Sequence, residues 1–125
     1  MKINYSILIV DDNKVFTETL SLLIKDILGN KISILDISYD GKDAINKVSD
    51  TIYDFIFMDI NIPKINGIET SKIINNIYYR STTIIAISFY DNFSNIEKMI
   101  LSGAKYFLNK DKITIDILED IFNYK

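Results

Sequence analysis

Apolar positions along the chain fall into two kinds of segment that alternate from one end to the other. Ser6-Ile7-Leu8-Ile9-Val10, Phe55-Ile56-Phe57-Met58 and Thr83-Ile84-Ile85-Ala86-Ile87 are short runs with little or no polar interruption. Such runs predict strands buried on both faces of a parallel sheet. Between them lie longer stretches with helical spacing. Asn13 to Gly29 carries Val15, Phe16, Leu20, Leu23, Ile24, Ile27 and Leu28, with Asn13 as the N-cap and Gly29 as the closing residue. Lys42 to Ser49 carries Ala44, Ile45 and Val48, after the punctuation of Asp40-Gly41, and Gly67 to Tyr78 presents Ile73, Ile74 and Ile77 inward. Ser94-Asn95-Ile96-Glu97 has capping-box spacing and opens a helix with Ile96, Met99 and Ile100 inside, closed by Gly103. A last helix from about Thr114 carries Ile117, Leu118, Ile121 and Phe122.

Two further strands complete the alternation. Ile32 to Ile37 contains Ser33 and Asp36, which predicts a sheet edge, and Tyr106-Phe107-Leu108 is a brief fifth strand. Five strand–helix units joined by short connections predict one α/β domain, with a parallel sheet, right-handed crossovers and helices on both faces. No repeat, linker or low-complexity tract divides residues 1–125.

Composition narrows the chemistry. At 48% hydrophobic and 25% charged residues the chain is neither disordered nor membrane-spanning. No apolar run reaches the roughly 18 residues that cross a bilayer, and Met1-Lys2-Ile3-Asn4-Tyr5 is too short and polar for a signal peptide. The absence of cysteine excludes disulfides and thiolate metal sites and fits a cytoplasmic location. The absence of histidine excludes imidazole catalysis. A net charge of -3 argues against direct nucleic-acid binding by this domain. Chemistry must come from carboxylates, hydroxyls, amines and backbone.

Those groups stand at the strand ends. The first strand ends at Asp11-Asp12, the third at Asp59, the fourth at Ser88 and the fifth at Asn109-Lys110. Each residue alone reads as a solvated turn, a cap or a surface amine. In a parallel sheet, however, all carboxyl ends share one edge, where ligands of open α/β folds bind. Three converging carboxylates repel one another and favour a hard cation such as Mg²⁺, while a lysine and a hydroxyl suit a phosphoryl group.

In the order of these stretches the chain resembles the receiver domains of two-component response regulators, the CheY-like family. The matching segments are Ile9-Val10-Asp11-Asp12-Asn13, Tyr39-Asp40-Gly41-Lys42-Asp43-Ala44, Met58-Asp59 through Ile68-Glu69, Ile85-Ala86-Ile87-Ser88 and Gly103-Ala104 through Asn109-Lys110. The resemblance implies a doubly wound (βα)5 flavodoxin-like fold with strand order 2-1-3-4-5. It implies that Asp59 accepts a phosphoryl group from a sensor histidine kinase or a histidine phosphotransfer protein. Asp12 and Asp59 would ligate Mg²⁺ with their side chains and Asn61 with its carbonyl, Asp11 acting through water. Lys110 and Ser88 would contact the phosphoryl oxygens, and Phe107 would be the aromatic that turns inward when Ser88 moves. The signal would leave through Asn95 to Ser102, Tyr106 to Leu108 and Thr114 to Asn123, to a phosphorylation-dependent homodimer or another partner.

Two features depart from the family's commonest pattern. Asp111 follows Lys110 where proline is frequent, and bulky Phe89 and Tyr90 follow Ser88, where they are expected to crowd the phosphoryl site. The first, with Ser88-Phe89-Tyr90-Asp91, is closer to receivers that precede LuxR-type helix-turn-helix domains, which favours a DNA-binding output domain outside these residues over a stand-alone regulator. Three other readings stay open on residues alone. A haloacid dehalogenase-type phosphatase would need a second acid at Asn61. A flavodoxin-like nucleotide binder would need a glycine-rich loop where Asp11-Asp12 stands. A receiver-like module that is never phosphorylated would lack part of the acidic, Asp59 and Lys110 set.

Overall fold

A computed structural model describes residues 4–78, 81–90 and 92–123. The elements alternate strictly: β1 (Tyr5–Val10), α1 (Lys14–Leu28), β2 (Ile32–Ser38), α2 (Gly41–Asp50), β3 (Phe55–Asp59), α3 (Gly67–Tyr78), β4 (Thr83–Ser88), α4 (Phe93–Leu101), β5 (Ala104–Asn109) and α5 (Ile115–Asn123). Short 3-10 turns at Gly29–Lys31 and Lys110–Lys112 lead into β2 and towards α5. All pairings are parallel, and the strand order is β2-β1-β3-β4-β5. The fold is therefore the CheY-like, flavodoxin-like α/β architecture that the sequence pattern and the resemblance predict. No helix among the described residues is long and apolar enough to cross a membrane.

The uninterrupted apolar runs are the inner strands. Every residue of β1, β3 and β4 is buried, whereas β2 and β5 are only partly covered and form the edges. Alternation along the strands then sorts side chains between two cores. Leu8, Val10, Ile56, Met58 and Ala86 face Ala44, Val48, Ile74 and Met99 of α2, α3 and α4. Ile7, Ile9, Phe55, Phe57, Ile85 and Ile87 face Leu20, Ile24, Leu118, Ile121 and Phe122 of α1 and α5. Phe122 packs edge-on against Tyr5, Phe55 and Phe57, which ties the last helix to the central strands.

Helical spacing overstates burial at three positions. Val15, Ile77 and Ile100 are mostly exposed, because each helix covers the sheet with one stripe and these residues lie at its border. The α4 start also differs. Asn92, not Ser94, is the N-cap, and its side chain accepts a hydrogen bond from the Asn95 N–H at 3.1 Å. Asparagine caps as well as serine does, so the helix is capped two residues before the expected position and Ser94 lies within it. Asn13 caps α1 as expected, accepting from the Phe16 N–H, and Asp40 caps α2 by accepting from the Asp43 N–H.

The peptide after Lys110 is trans, since no cis bond occurs among the described residues. Asp111 donates its N–H to Asn109 Oδ1 at 2.9 Å, closing the Lys110–Lys112 turn. Proline has no N–H and could not make that bond. Asp111 thus belongs to a different way of holding the same turn.

Candidate functional site

The carboxyl ends of β1, β3, β4 and β5 bring together residues far apart in sequence. Asp11 lies just beyond β1 and is fully buried, Asp12 beside it is exposed, and Asp59 ends β3 at 6% exposure. One oxygen from each of these carboxylates lies within 4.8 Å of the others. Lys110, immediately after β5, extends its side chain into the group with 4% exposure. Its ammonium pairs with Asp11 Oδ2 and stands 3.4 Å from Asp59 Oδ2.

Local backbone geometry fixes the two buried carboxylates. Asp11 Oδ1 accepts the Asn13 N–H at 2.9 Å, so the start of α1 and the orientation of Asp11 are set together. Asp59 Oδ1 accepts the Asn61 N–H at 3.4 Å, while the Asn61 residue itself is exposed in the loop after β3. That loop is closed by the Gly67 N–H donating to the Ile60 carbonyl at 2.8 Å. A Cβ at Gly67 would collide with the Asp59 carbonyl oxygen, so a glycine here lets α3 start directly against the acidic strand end. Gly41 is confined likewise by the Ile65 carbonyl, and its N–H donates to the Pro63 carbonyl, which anchors the far side of the loop.

Ser88 closes β4 at 4% exposure. Asp59 pairs with Ile87, so Ser88 stands one residue further along the neighbouring strand. Its Oγ accepts the Tyr90 N–H at 3.1 Å. Phe107 pairs with Ala86, two residues before Ser88 and on the same side of the sheet, and packs half-buried against the α2–α3–α4 core. Of the two bulky residues after Ser88, Tyr90 is 72% exposed, whereas Phe89 lays its ring against Lys110. Phe16, read from sequence as a core residue of α1, also lies against Lys110. Nothing in the periodicity of α1 signals that contact, because Phe16 and Lys110 meet only through the sheet order.

Burial is the largest influence on Asp59 and pushes its pKa up from 3.8 to about 6. The neighbouring Asp11 charge acts in the same direction, while Lys110 and the Asn61 N–H draw it partly back. When all are ionised, three carboxylates face one ammonium, which leaves two negative charges for one divalent cation to balance. The donor atoms are hard oxygens, and buried Asp11 Oδ2 accepts no hydrogen bond of proper geometry beside its ion pair. The residues present therefore fit a small divalent cation such as Mg²⁺.

Residues 7–122 match the family described as response regulator receiver domain. PilG of Pseudomonas aeruginosa is 31% identical over 105 residues, covering 83% of this chain and 75% of PilG. The transcriptional regulatory protein DegU of Brevibacillus brevis is 26% identical over 115 residues, covering 92% of this chain but 48% of DegU. Among solved structures, the Mg²⁺-complexed receiver domain of the histidine kinase CKI1 from Arabidopsis thaliana superposes with a TM-score of 0.77 at 23% identity. That superposition covers 96% of this chain and 90% of the CKI1 chain.

The Asp59 shift has a definite consequence for the metal-free protein. A carboxyl with a folded pKa of about 6 against 3.8 unfolded binds more protons when folded, so its contribution to stability falls as pH rises between those values. Asp59→Asn removes that contribution. In metal-free urea melts the variant is expected to exceed the parent by on the order of 2 kcal/mol at pH 8, with the gain fading towards pH 4. A gain that grows on acidification would contradict the assignment.

Proposed function

Because the chain belongs to the response regulator receiver family, whose members are phosphoacceptor domains of two-component signalling, we propose that Asp59 is the residue that takes the phosphoryl group. The observation that carries this reading is the Lys110 ammonium standing between Asp11 and Asp59 at the carboxyl edge of the sheet. The chain has no histidine, so a phosphohistidine donor must come from another protein, a sensor histidine kinase or a histidine phosphotransfer protein. A carboxylate oxygen of Asp59 attacks phosphorus, the phosphorus–nitrogen bond breaks, and the imidazole leaves with the electron pair. The product is an acyl phosphate on Asp59.

Asp12, Asp59 and the carbonyl of Asn61 are the ligands we assign to Mg²⁺, with Asp11 acting through water; the CKI1 receiver is itself complexed with Mg²⁺. When bound, Mg²⁺ supplies the positive charge that lets ionised Asp59 and an anionic phosphoryl group approach one another. Lys110 contributes the other positive charge, and it can shift from the Asp59 carboxylate to the new phosphoryl oxygens without leaving the pocket. Ser88 Oγ–H is the donor for a third oxygen. In this reading the domain assists both its own phosphorylation and its own dephosphorylation, by hydrolysis of the Asp59 acyl phosphate, and residues 1–125 form the receiver.

Movement of Ser88 towards the phosphoryl group frees space beside Ala86, and Phe107, level with Ala86 on the same side, is placed to fill it. Phenylalanine brings no hydroxyl that would need a partner inside. The output face is then α4, β5 and α5. It exposes Ile100, Leu101 and Ile115 and carries a groove of about 220 Å³ among Tyr106, Phe107, Leu108, Ile117, Asp120 and Ile121. Self-association on this face, or coupling to a DNA-binding segment outside the receiver, is the output we assign. DegU, a transcriptional regulatory protein about twice as long as the matched region, supports the second. The absence of cysteine fits the cytoplasm.

Intact mass after incubation with acetyl phosphate tests the chemistry. One phosphoryl group is expected with Mg²⁺, and none with chelator or in Asp59→Asn; labelling that persists in that variant would refute the assignment. Amide shifts on adding beryllofluoride and Mg²⁺ test the switch. They are expected to spread from the pocket to Phe107, α4 and α5, and changes confined to the strand ends would refute it.

A further inference from the structure

Lys110 is held on two sides by different chemistry. Its inner side faces Asp11 and Asp59. Its outer side faces two aromatic rings: the ammonium lies 4.6 Å from the centre of Phe16 and 5.0 Å from the centre of Phe89. The rings meet edge to face, with centroids 6.3 Å apart and planes at 68°. Both distances are within the range of cation–π attraction, which strengthens as water is removed, and the lysine side chain is 4% exposed.

The three residues follow three separate strands, β1, β4 and β5. Phe16 lies in the first turn of α1, where its N–H caps onto Asn13, whose own N–H holds Asp11. Phe89 directly follows Ser88. A ring face attracts a cation but is a weak hydrogen-bond acceptor, and the carboxylates that pair with the ammonium, Asp11 and Asp59, lie on the inner side. With 4% of its side chain exposed, the lysine is largely withdrawn from water, although Phe16, Phe89 and Lys110 also line a cavity of about 270 Å³.

Resting on the assignment of Asp59 as acceptor, we propose that Phe16 and Phe89 are positioning residues that clamp the Lys110 ammonium towards Asp59. The clamp makes the lysine a fixed partner for the phosphoryl oxygens rather than a solvated amine, and it joins the start of α1 to the Ser88 segment through one charge.

The test combines a signal from the metal-free protein with a binding measurement. In the metal-free parent the ε-CH₂ protons of Lys110 are expected upfield of the other lysines through ring-current shielding, and Phe16→Leu or Phe89→Leu should each remove part of that shift. Leucine keeps apolar bulk but has no ring. With Mg²⁺, each leucine variant should bind beryllofluoride about three- to tenfold more weakly, while Phe16→Tyr, which keeps the ring, stays close to the parent. An unshifted Lys110 in the parent, or leucine variants that bind beryllofluoride like the parent, would overturn the clamp. A shifted Lys110 in a parent that binds no beryllofluoride would uphold the clamp geometry and refute the phosphoacceptor assignment instead.

Discussion

Three carboxylates and one ammonium share the carboxyl edge of this sheet, and the position of Lys110 offsets the charge that burial there makes costly. Asp11 is wholly buried and Asp59 nearly so. An isolated buried carboxylate is strongly unfavourable, and two side by side are worse. Without a cation in the pocket, the compensating charge is the ammonium that β5 delivers between them. The arrangement constrains the fold around it. β5 must lie beside β4 in register for Lys110 to arrive, and α3 must begin on a glycine so that the loop after Asp59 can close. The start of α1 must present the Asn13 N–H to Asp11. The edge is balanced yet short of neutral, and the remaining negative charge suits a divalent cation followed by a phosphoryl group.

Much of this could be read from the residues. Ile7 to Val10, Phe55 to Met58 and Ile84 to Ile87 are apolar without alternation because both faces of the inner strands are covered, and that burial is a property of each strand taken alone. The convergence of Asp11, Asp12, Asp59, Ser88 and Lys110 follows from parallel topology without knowledge of a single contact. Beyond that point local pattern loses its hold. Ile77 and Ile100 have the spacing of core residues, but the neighbouring elements do not reach them. The capping-box spacing at Ser94 points to the wrong cap, because Asn92 two residues earlier caps equally well. The contact of Phe16 with Lys110 spans most of the chain, and its only local trace, an aromatic at helical spacing, has the same appearance as ordinary core.

Asp111 and Phe89 show how departures from a family's common pattern fit this particular chain. Asp111 uses an N–H that proline would lack to close the turn after Lys110. Phe89 is bulky beside the site, yet its ring is spent on Lys110 rather than left free, in company with Phe16. Both features act on the same lysine, one through the backbone that carries it and one through the ring that covers it.

The dependence of the fold on that single charge is open to direct measurement. Lys110→Met keeps the length and apolar stem of the side chain and removes the ammonium. Urea unfolding at pH 8 with chelator present should show the variant destabilised by about 3–5 kcal/mol, the range for removing one partner of a buried ion pair. Mg²⁺ should then restore more stability to the variant than it adds to the parent, because the cation takes over a neutralisation that the lysine no longer provides. A metal-free variant as stable as the parent would contradict the account at its centre.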